Sequence, residues 1–110
     1  MEIIEKKQDE IHIFKIKGRL DSNTSPELEK KIFGAIESKS LNMIIDFEDL
    51  DYISSAGLRV ILKTSKTLKR SEGSIVLCSM QDYVKEVFEI AGFDVFLSIA
   101  TKMNDALEMF

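Results

Sequence analysis

Midway along the chain, Tyr52-Ile53-Ser54-Ser55-Ala56-Gly57-Leu58-Arg59 sets two adjacent hydroxyls between an acidic, apolar run and a stretch of helical spacing. A serine in such a place can do three kinds of chemistry. It can cap the helix by accepting a hydrogen bond from an unpaired backbone N–H of the first turn. It can attack a substrate, if a base lies within hydrogen-bond reach. It can accept a phosphate from another protein, and a phosphate there would gain from the positive end of the helix dipole.

Capping is what helix grammar alone favours, and either Ser54 or Ser55 suits it. Nucleophilic attack has little support. His12 is the only histidine of the chain and falls in its first β-rich region, and there is no G-x-S-x-G elbow. Asp21 or Asp51 would be a poor base toward a hydroxyl at neutral pH. A phosphoacceptor needs no base of its own, only an exposed hydroxyl with small neighbours, and Ala56 and Gly57 supply those. The two added charges of a phosphate would reorganise or repel a docked partner.

Composition narrows the partners. The chain has 110 residues, 45% of them hydrophobic and 31% charged, with a formal net charge of −4. An acidic balance argues against a general nucleic-acid binder. No apolar run approaches the ~20 residues of a membrane span, and the start resembles an acidic strand rather than a signal peptide. Cys78 is the lone cysteine, so no disulfide framework and no Cys-based metal site is expected. With a single histidine and no Gly-rich phosphate loop, neither a metal nor a nucleotide cofactor is expected. The expected compartment is the cytoplasm.

The elements that must position the serines follow from periodicity. Residues 2–7 and 11–17 predict an antiparallel hairpin, with Phe14 and Ile16 on the face of His12 and Ile11 and Ile13 on the other. Leu28, Ile32, Ala35 and Ile36 form one face of a helix, begun by a Ser25 cap before Pro26 or by a Thr24–Glu27 capping box. The run from Met43 to Phe47, broken only by Asp46, suits a central strand covered on both faces, with Asp46 at its end bonding to loop backbone. Leu58, Ile61, Leu62 and Leu68 predict a helix stopped by Gly73, and "SIVLCS" predicts the next strand, with Cys78 buried and inert. Ser79 is expected to cap a helix that turns Val84, Val87, Phe88 and Ala91 inward and stops at Gly92. A short strand at Val95–Ile99 and a helix at Met103–Met109 complete the order β-β-α-β-α-β-α-β-α. Phe88, Phe93 and Phe96 are expected in the core; Met103, Met109 and Phe110 either pack against the same chain, the favoured reading, or leave an apolar C-terminal patch that would help dimerisation. Such an order predicts an α/β fold near the α+β border. It has a mixed sheet, an N-terminal antiparallel hairpin plus parallel strands, packed with about four helices.

Charge is also patterned. Arg59, Lys63, Lys66 and Arg70 fall within ~60° of one another around their helix. They form either a solvated face or a docking surface, with Arg59 one turn beyond Ser55 and able to engage a phosphate there. Residues 44–51 hold Asp46, Glu48, Asp49 and Asp51 and no basic residue, so charge is expected to be segregated around the turn.

Two stretches at this separation resemble one known family. "DFEDLDYISSAGLRVIL" is similar to the signature of STAS domains of the anti-sigma factor antagonist type, an apolar strand, a short loop, Asp-Ser-[Ser/Thr/Ala]-Gly-Leu and a helix. "GRLDSNTSPEL" resembles that family's second signature. The resemblance covers residues 1–110 and implies a single non-catalytic STAS domain. It implies that Ser55 is the phosphoacceptor, and that Asp21, Thr24, Ser54, Ala56, Gly57 and Arg59 belong to the partner-binding surface. Ser54 departs from the pattern, standing where many phosphorylated members have Asp. The implied function is a switch. The unphosphorylated form binds an anti-sigma factor that is a serine protein kinase and frees a sigma factor, and a metal-dependent serine phosphatase restores that form. The alternative within the family is a scaffold subunit, not phosphorylated, of a lipid or anion transport complex.

Overall fold

Strands joined in sequence order through right-handed crossovers must carry all their connecting helices on one face of the sheet. The computed structural model, which describes residues 1–110, has this arrangement. The strands are β1 (Glu2–Gln8), β2 (Ile11–Leu20), β3 (Asn42–Ile53), β4 (Ser74–Cys78) and β5 (Ser98–Ala100), and they lie in the order β1-β2-β3-β4-β5. β1 pairs antiparallel with β2, and every later pair is parallel. Helices α1 (Ser25–Glu37), α2 (Ser55–Arg70) and α3 (Asp82–Ile90) cover one face. The short α4 (Met103–Leu107), which follows the last strand, packs on the other. The mixed α/β sheet expected from the sequence is the one found. No helix is long and apolar enough to cross a membrane.

The hairpin turn holds Asp9 and Glu10 at φ 51° and 67°, the paired left-handed conformation that matches the twist of two-residue hairpins. Alternation along β2 then divides the core. Phe14, Ile16 and Leu20 join Leu28, Ile32, Met43, Ile45, Phe47 and Phe88 under the three helices, and Phe88 meets Phe47 edge-on at 5.9 Å. Ile11 and Ile13 join Ile44, Val76, Cys78 and Ala106 on the second face. All of Met43–Phe47 is buried, as a central strand requires.

Several local expectations are corrected. β3 does not end at Asp46 but runs on to Ile53, carrying an extra residue where Lys15 and Lys17 face Asp46 and Asp49. Asp46 Oδ1 accepts from Glu48 N at 2.9 Å and so satisfies backbone freed by that bulge. The acidic run is not segregated either. Lys15 lies 3.0 Å from Glu48 and 3.4 Å from Asp49, and the bond to Glu48 is the main cause of its raised pKa. Neither cap expected for α1 forms, because Thr24 makes no capping bond. Ser79 does not cap α3; it sits at φ 62°, and Gln81 precedes the helix without a side-chain cap. Gln81 instead donates to the Glu48 carbonyl at 2.7 Å.

The C-terminal third departs furthest. A 3₁₀ turn at Phe93–Val95 replaces the start of the expected strand, so β5 covers only Ser98–Ala100, and α4 stops at Leu107. Gly92 stops α3 as expected, at φ 76°. Ala91 is exposed rather than inward, and Phe96 is 72% exposed rather than in the core. Met109 and Phe110 are also exposed, and only Met103 is half-buried against the second face. Cys78 is fully buried, which pushes its thiol up to about 11.

Gly73 follows α2, but the left-handed residue there is Glu72, at φ 61°. Gly73 is needed for space, since an added Cβ would lie 2.2 Å from the Leu41 carbonyl oxygen. Gly34, on the exposed side of α1, would meet nothing within 4 Å. The two positions therefore predict opposite signs. Gly34→Ala is expected to stabilise by about 0.5–1 kcal/mol through helix propensity. Gly73→Ala is expected to destabilise by more than that, because backbone must move. Denaturant unfolding of the two variants beside wild type checks both, and a stabilised Gly73→Ala would refute the steric account.

Candidate functional site

β2 and β3 are parallel neighbours with Leu20 opposite Ile53, so the residues that follow them, Asp21 and Ser54, emerge side by side. One bond fastens the two turns: Ser54 N donates to the Leu20 carbonyl at 2.9 Å. Both stretches singled out by the sequence thus meet at one edge of the sheet.

The two serines divide the alternatives between them. Ser54 is the N-cap of α2, extended at φ −98° and ψ 175°, and its Oγ accepts from Gly57 N at 3.5 Å. Ser55 is the first helical residue and is exposed. Gly57 is buried against the strand ends. A Cβ there would lie 2.8 Å from both Ile53 Cγ1 and Leu20 Cγ, so only glycine lets α2 start this close to the sheet. Ala56 is half-buried beside it.

Asp21 provides the cap that neither Thr24 nor Ser25 makes. Its Oδ1 accepts from Asn23 N at 3.0 Å and Thr24 N at 3.2 Å, and its carbonyl accepts from Ser25 N at 2.8 Å. Thr24 pins the turn from within, accepting from Asp21 N at 2.9 Å and donating to the Arg19 carbonyl at 2.8 Å. The Asp21 side chain is therefore half-buried and engaged, not the free loop carboxylate that a surface role alone would give.

The ordered positive charge lies on α2. Arg59 is exposed, one turn beyond Ser55, and no carboxylate occupies the first turn of the helix. Arg59 and Lys63 border a groove of about 400 Å³ against Ser22, Pro26 and Glu29 at the start of α1. Lys63 is tied to Glu29 at 3.3 Å and lies over Phe33, whereas Arg59, Lys66 and Arg70 make no ion pair. The sequence did not single out Arg19 and Tyr52, which stack at 4.1 Å beside the turn. They become neighbours only through the register of β2 on β3.

No base serves either serine. His12 stands at the far end of β2, roughly 26 Å from Leu20 along the strand, and its Nε2 lies 3.0 Å from Glu5 Oε1. What the edge can do chemically is present a hydroxyl and a cation to another molecule.

The Asp21 bonds yield a prediction. The Asn23 N–H first, then the Thr24 N–H and hydroxyl, hold its carboxyl below the ordinary 3.8. A value lowered on folding contributes stability above the unfolded pKa, and that stability is lost as pH falls through the folded one. At about pH 7, Asp21→Ala is expected to melt a few degrees below wild type and Asp21→Asn much closer to it, since Asn also caps. The Asp21→Ala deficit is expected to shrink toward about pH 3. Melting curves across that range check this, and a constant deficit would remove the charge from the account.

Comparison with known proteins agrees with the geometry. The family model for the STAS domain matches residues 2–106. BtrV of Bordetella bronchiseptica, named as an anti-sigma factor antagonist, is 34% identical over 110 residues, covering 100% of this chain and 95% of its own. A Thermotoga maritima protein also named as an anti-sigma factor antagonist superposes with a TM-score of 0.94 at 21% identity, over 97% of this chain and 92% of that one. The Bacillus cell fate determinant SpoIIAA in its phosphorylated form superposes with a TM-score of 0.76 at 22% identity, over 98% of both chains. At such identities the structures speak for the fold, while the family model and the BtrV match speak for descent. The chain belongs to the STAS family.

Proposed function

We propose that this chain is an anti-sigma factor antagonist switched by phosphorylation of Ser55. Unphosphorylated, it binds an anti-sigma factor that is itself a serine protein kinase and so frees a sigma factor. A metal-dependent serine phosphatase returns the phosphorylated form to the binding one. The observation that carries this reading is the division at the start of α2. Ser54 takes the capping role, which leaves the Ser55 hydroxyl exposed and uncommitted beside Arg59. The match to BtrV along the whole chain supports the same reading.

The mechanism is differential affinity. A phosphate on Ser55 would be favoured within this chain by the helix N-terminus, where the dipole is worth typically 0.3–1 kcal/mol to a negative group. Arg59, at i+4, is placed to face it. The same two charges at the centre of a close contact remove hydrogen bonds or meet like charge on the partner. A loss of about 3 kcal/mol weakens binding more than a hundredfold, enough to exchange partners.

The test separates the hydroxyls. The cognate kinase is expected to label wild type and Ser54→Ala but not Ser55→Ala. Ser54→Ala is expected to lose about 0.5–1 kcal/mol of stability, the low end for a cap because its bond is long. Ser55→Asp is expected to melt like wild type yet bind the anti-sigma partner far more weakly by calorimetry, whereas Ser55→Ala binds and cannot be switched off. Label on Ser54 would move the acceptor by one residue. Equal affinity of phosphorylated and unphosphorylated protein would end the switch reading.

A further inference from the structure

The two edges of the sheet differ. β5 closes one with three residues, Ser98–Ala100, whereas β1 leaves the other open along seven, Glu2–Gln8. Every residue of β1 except Ile3 is exposed, and no strand pairs with its outer side. An open edge of that length is a template for another strand unless something blocks it. β1 contains no proline and its register on β2 has no bulge, so what guards it is charge.

The hairpin fixes which backbone groups face outward. Asp9 and Glu10 form a two-residue turn, so Gln8 and Ile11 are the hydrogen-bonded pair that closes it. Such pairs recur at every second residue. Lys6, Ile4 and Glu2 therefore bond to Ile13, Lys15 and Lys17 of β2, and Ile3, Glu5 and Lys7 turn their N–H and C=O groups to the open side. The side chains divide in the same way. Ile3 and Glu5 lie on the helix-covered face, where Glu5 meets His12 and Lys31, while Ile4 and Lys6 lie on the other.

A second copy of β1, laid antiparallel on this edge, can bond only where outward residues oppose outward residues, and this restricts the register. Centred on Glu5, the pairing brings two carboxylates together. Centred on Lys6 or Lys7, it brings two ammonium groups together. Centred on Ile3, it sets Glu2 against Ile4 and Glu5 against Met1, and pairs no charge. Centred on Ile4, it sets Ile4 against Ile4 and Glu2 against Lys6 on both sides of the two-fold axis. This register alone opposes no like charges and matches opposite ones twice. Glu2 and Lys6 are exposed and make no ion pair within the chain, and Ile4 is 40% exposed. Charge on an edge turns away most strands, but the order Glu2, Ile4, Lys6 is its own antiparallel complement.

We propose that two copies of this chain associate through β1, antiparallel about Ile4, so that their two sheets become one. Ile3 and Glu5 exchange backbone hydrogen bonds with Glu5 and Ile3 of the copy, and Ile4 packs on Ile4 between two Glu2–Lys6 pairs. Exposed ion pairs add little to affinity, so these select the register while the backbone bonds and Ile4 hold it. The start of α2, with Ser55, follows β3, two strands in from this edge. The association therefore does not rest on the proposed switch.

Sedimentation equilibrium at protein concentrations up to about 1 mM tests it, a range that reveals even a millimolar association. Wild type is expected to show a monomer–dimer equilibrium. Glu2→Lys and Lys6→Glu each set like charges opposite twice, and each is expected to weaken the dimer about fivefold or more with an unchanged melting temperature. The variant carrying both substitutions is expected to return to within about twofold of wild type. Ile4→Cys is expected to form an intermolecular disulfide, because a non-hydrogen-bonded pair brings Cα atoms to about 4.5 Å. Gln8→Cys, on the same face of β1 but far from its own counterpart in this register, is the control, and the native Cys78 is buried. A monomer throughout the range would show that the charges guard the edge, and would end the proposal. So would a dimer that both single substitutions leave unchanged, a charge-swapped variant no tighter than either, or a disulfide formed as fast at Gln8→Cys as at Ile4→Cys.

Discussion

The contact on which this molecule depends is the fastening of two strand ends by Ser54 N on the Leu20 carbonyl, at 2.9 Å. Behind it, Leu20 and Ile53 are buried, and Gly57 presses against both. A parallel pair can slide in register, and here the extra residues in β3 make the match with β2 irregular. The bond and the packing set the last paired position, so the chain leaves both strands at one level. The turn that Asp21 caps and the turn that Ser54 caps become a single surface as a result. Neither turn determines its own position.

How much of this was legible in the sequence depends on whether a residue's role is local. Met43–Phe47 read as a doubly covered strand because an apolar run broken only by Asp46 has few other uses. Leu28, Ile32 and Ala35 read as a helix face because their spacing admits little else. Caps were less legible. Thr24 and Ser79 have the right side chains, but Thr24 Oγ1 is drawn back to the Arg19 carbonyl, and Ser79 is turned left-handed where β4 meets the loop to α3. The cap of α1 went to Asp21 instead, three residues earlier. Phe96 and Ala91 misled for a related reason. Hydrophobicity says that a side chain gains by burial, not that the sheet is wide enough to cover it, and β5, with three residues, covers little.

Charge was legible in amount but not in pairing. The acidic stretch of β3 suggested a separate negative region until its register set Glu48 and Asp49 beside Lys15 and Lys17. That pairing offsets two of the four carboxylates of the strand, while Arg59, Lys66 and Arg70 on α2 stay without ion pairs. The helix dipole adds to this, because the first turn of α2 holds no acid while its last turn holds Lys69 and Arg70. The start of α2 can therefore take a negative group, and its far end is already balanced.

The departure of Ser54 from the usual Asp then has a physical reading. An Asp at that position would cap the helix and also bring a charge beside Ser55, so that phosphorylation would place two negative groups at one helix start. A serine caps without the charge. Under the proposed switch, the intramolecular cost of adding a phosphate would thereby be lowered, and more of its effect would fall on the partner. Two adjacent hydroxyls are thus not redundant: one caps the helix, and its exposed neighbour is the one that the proposed switch would charge.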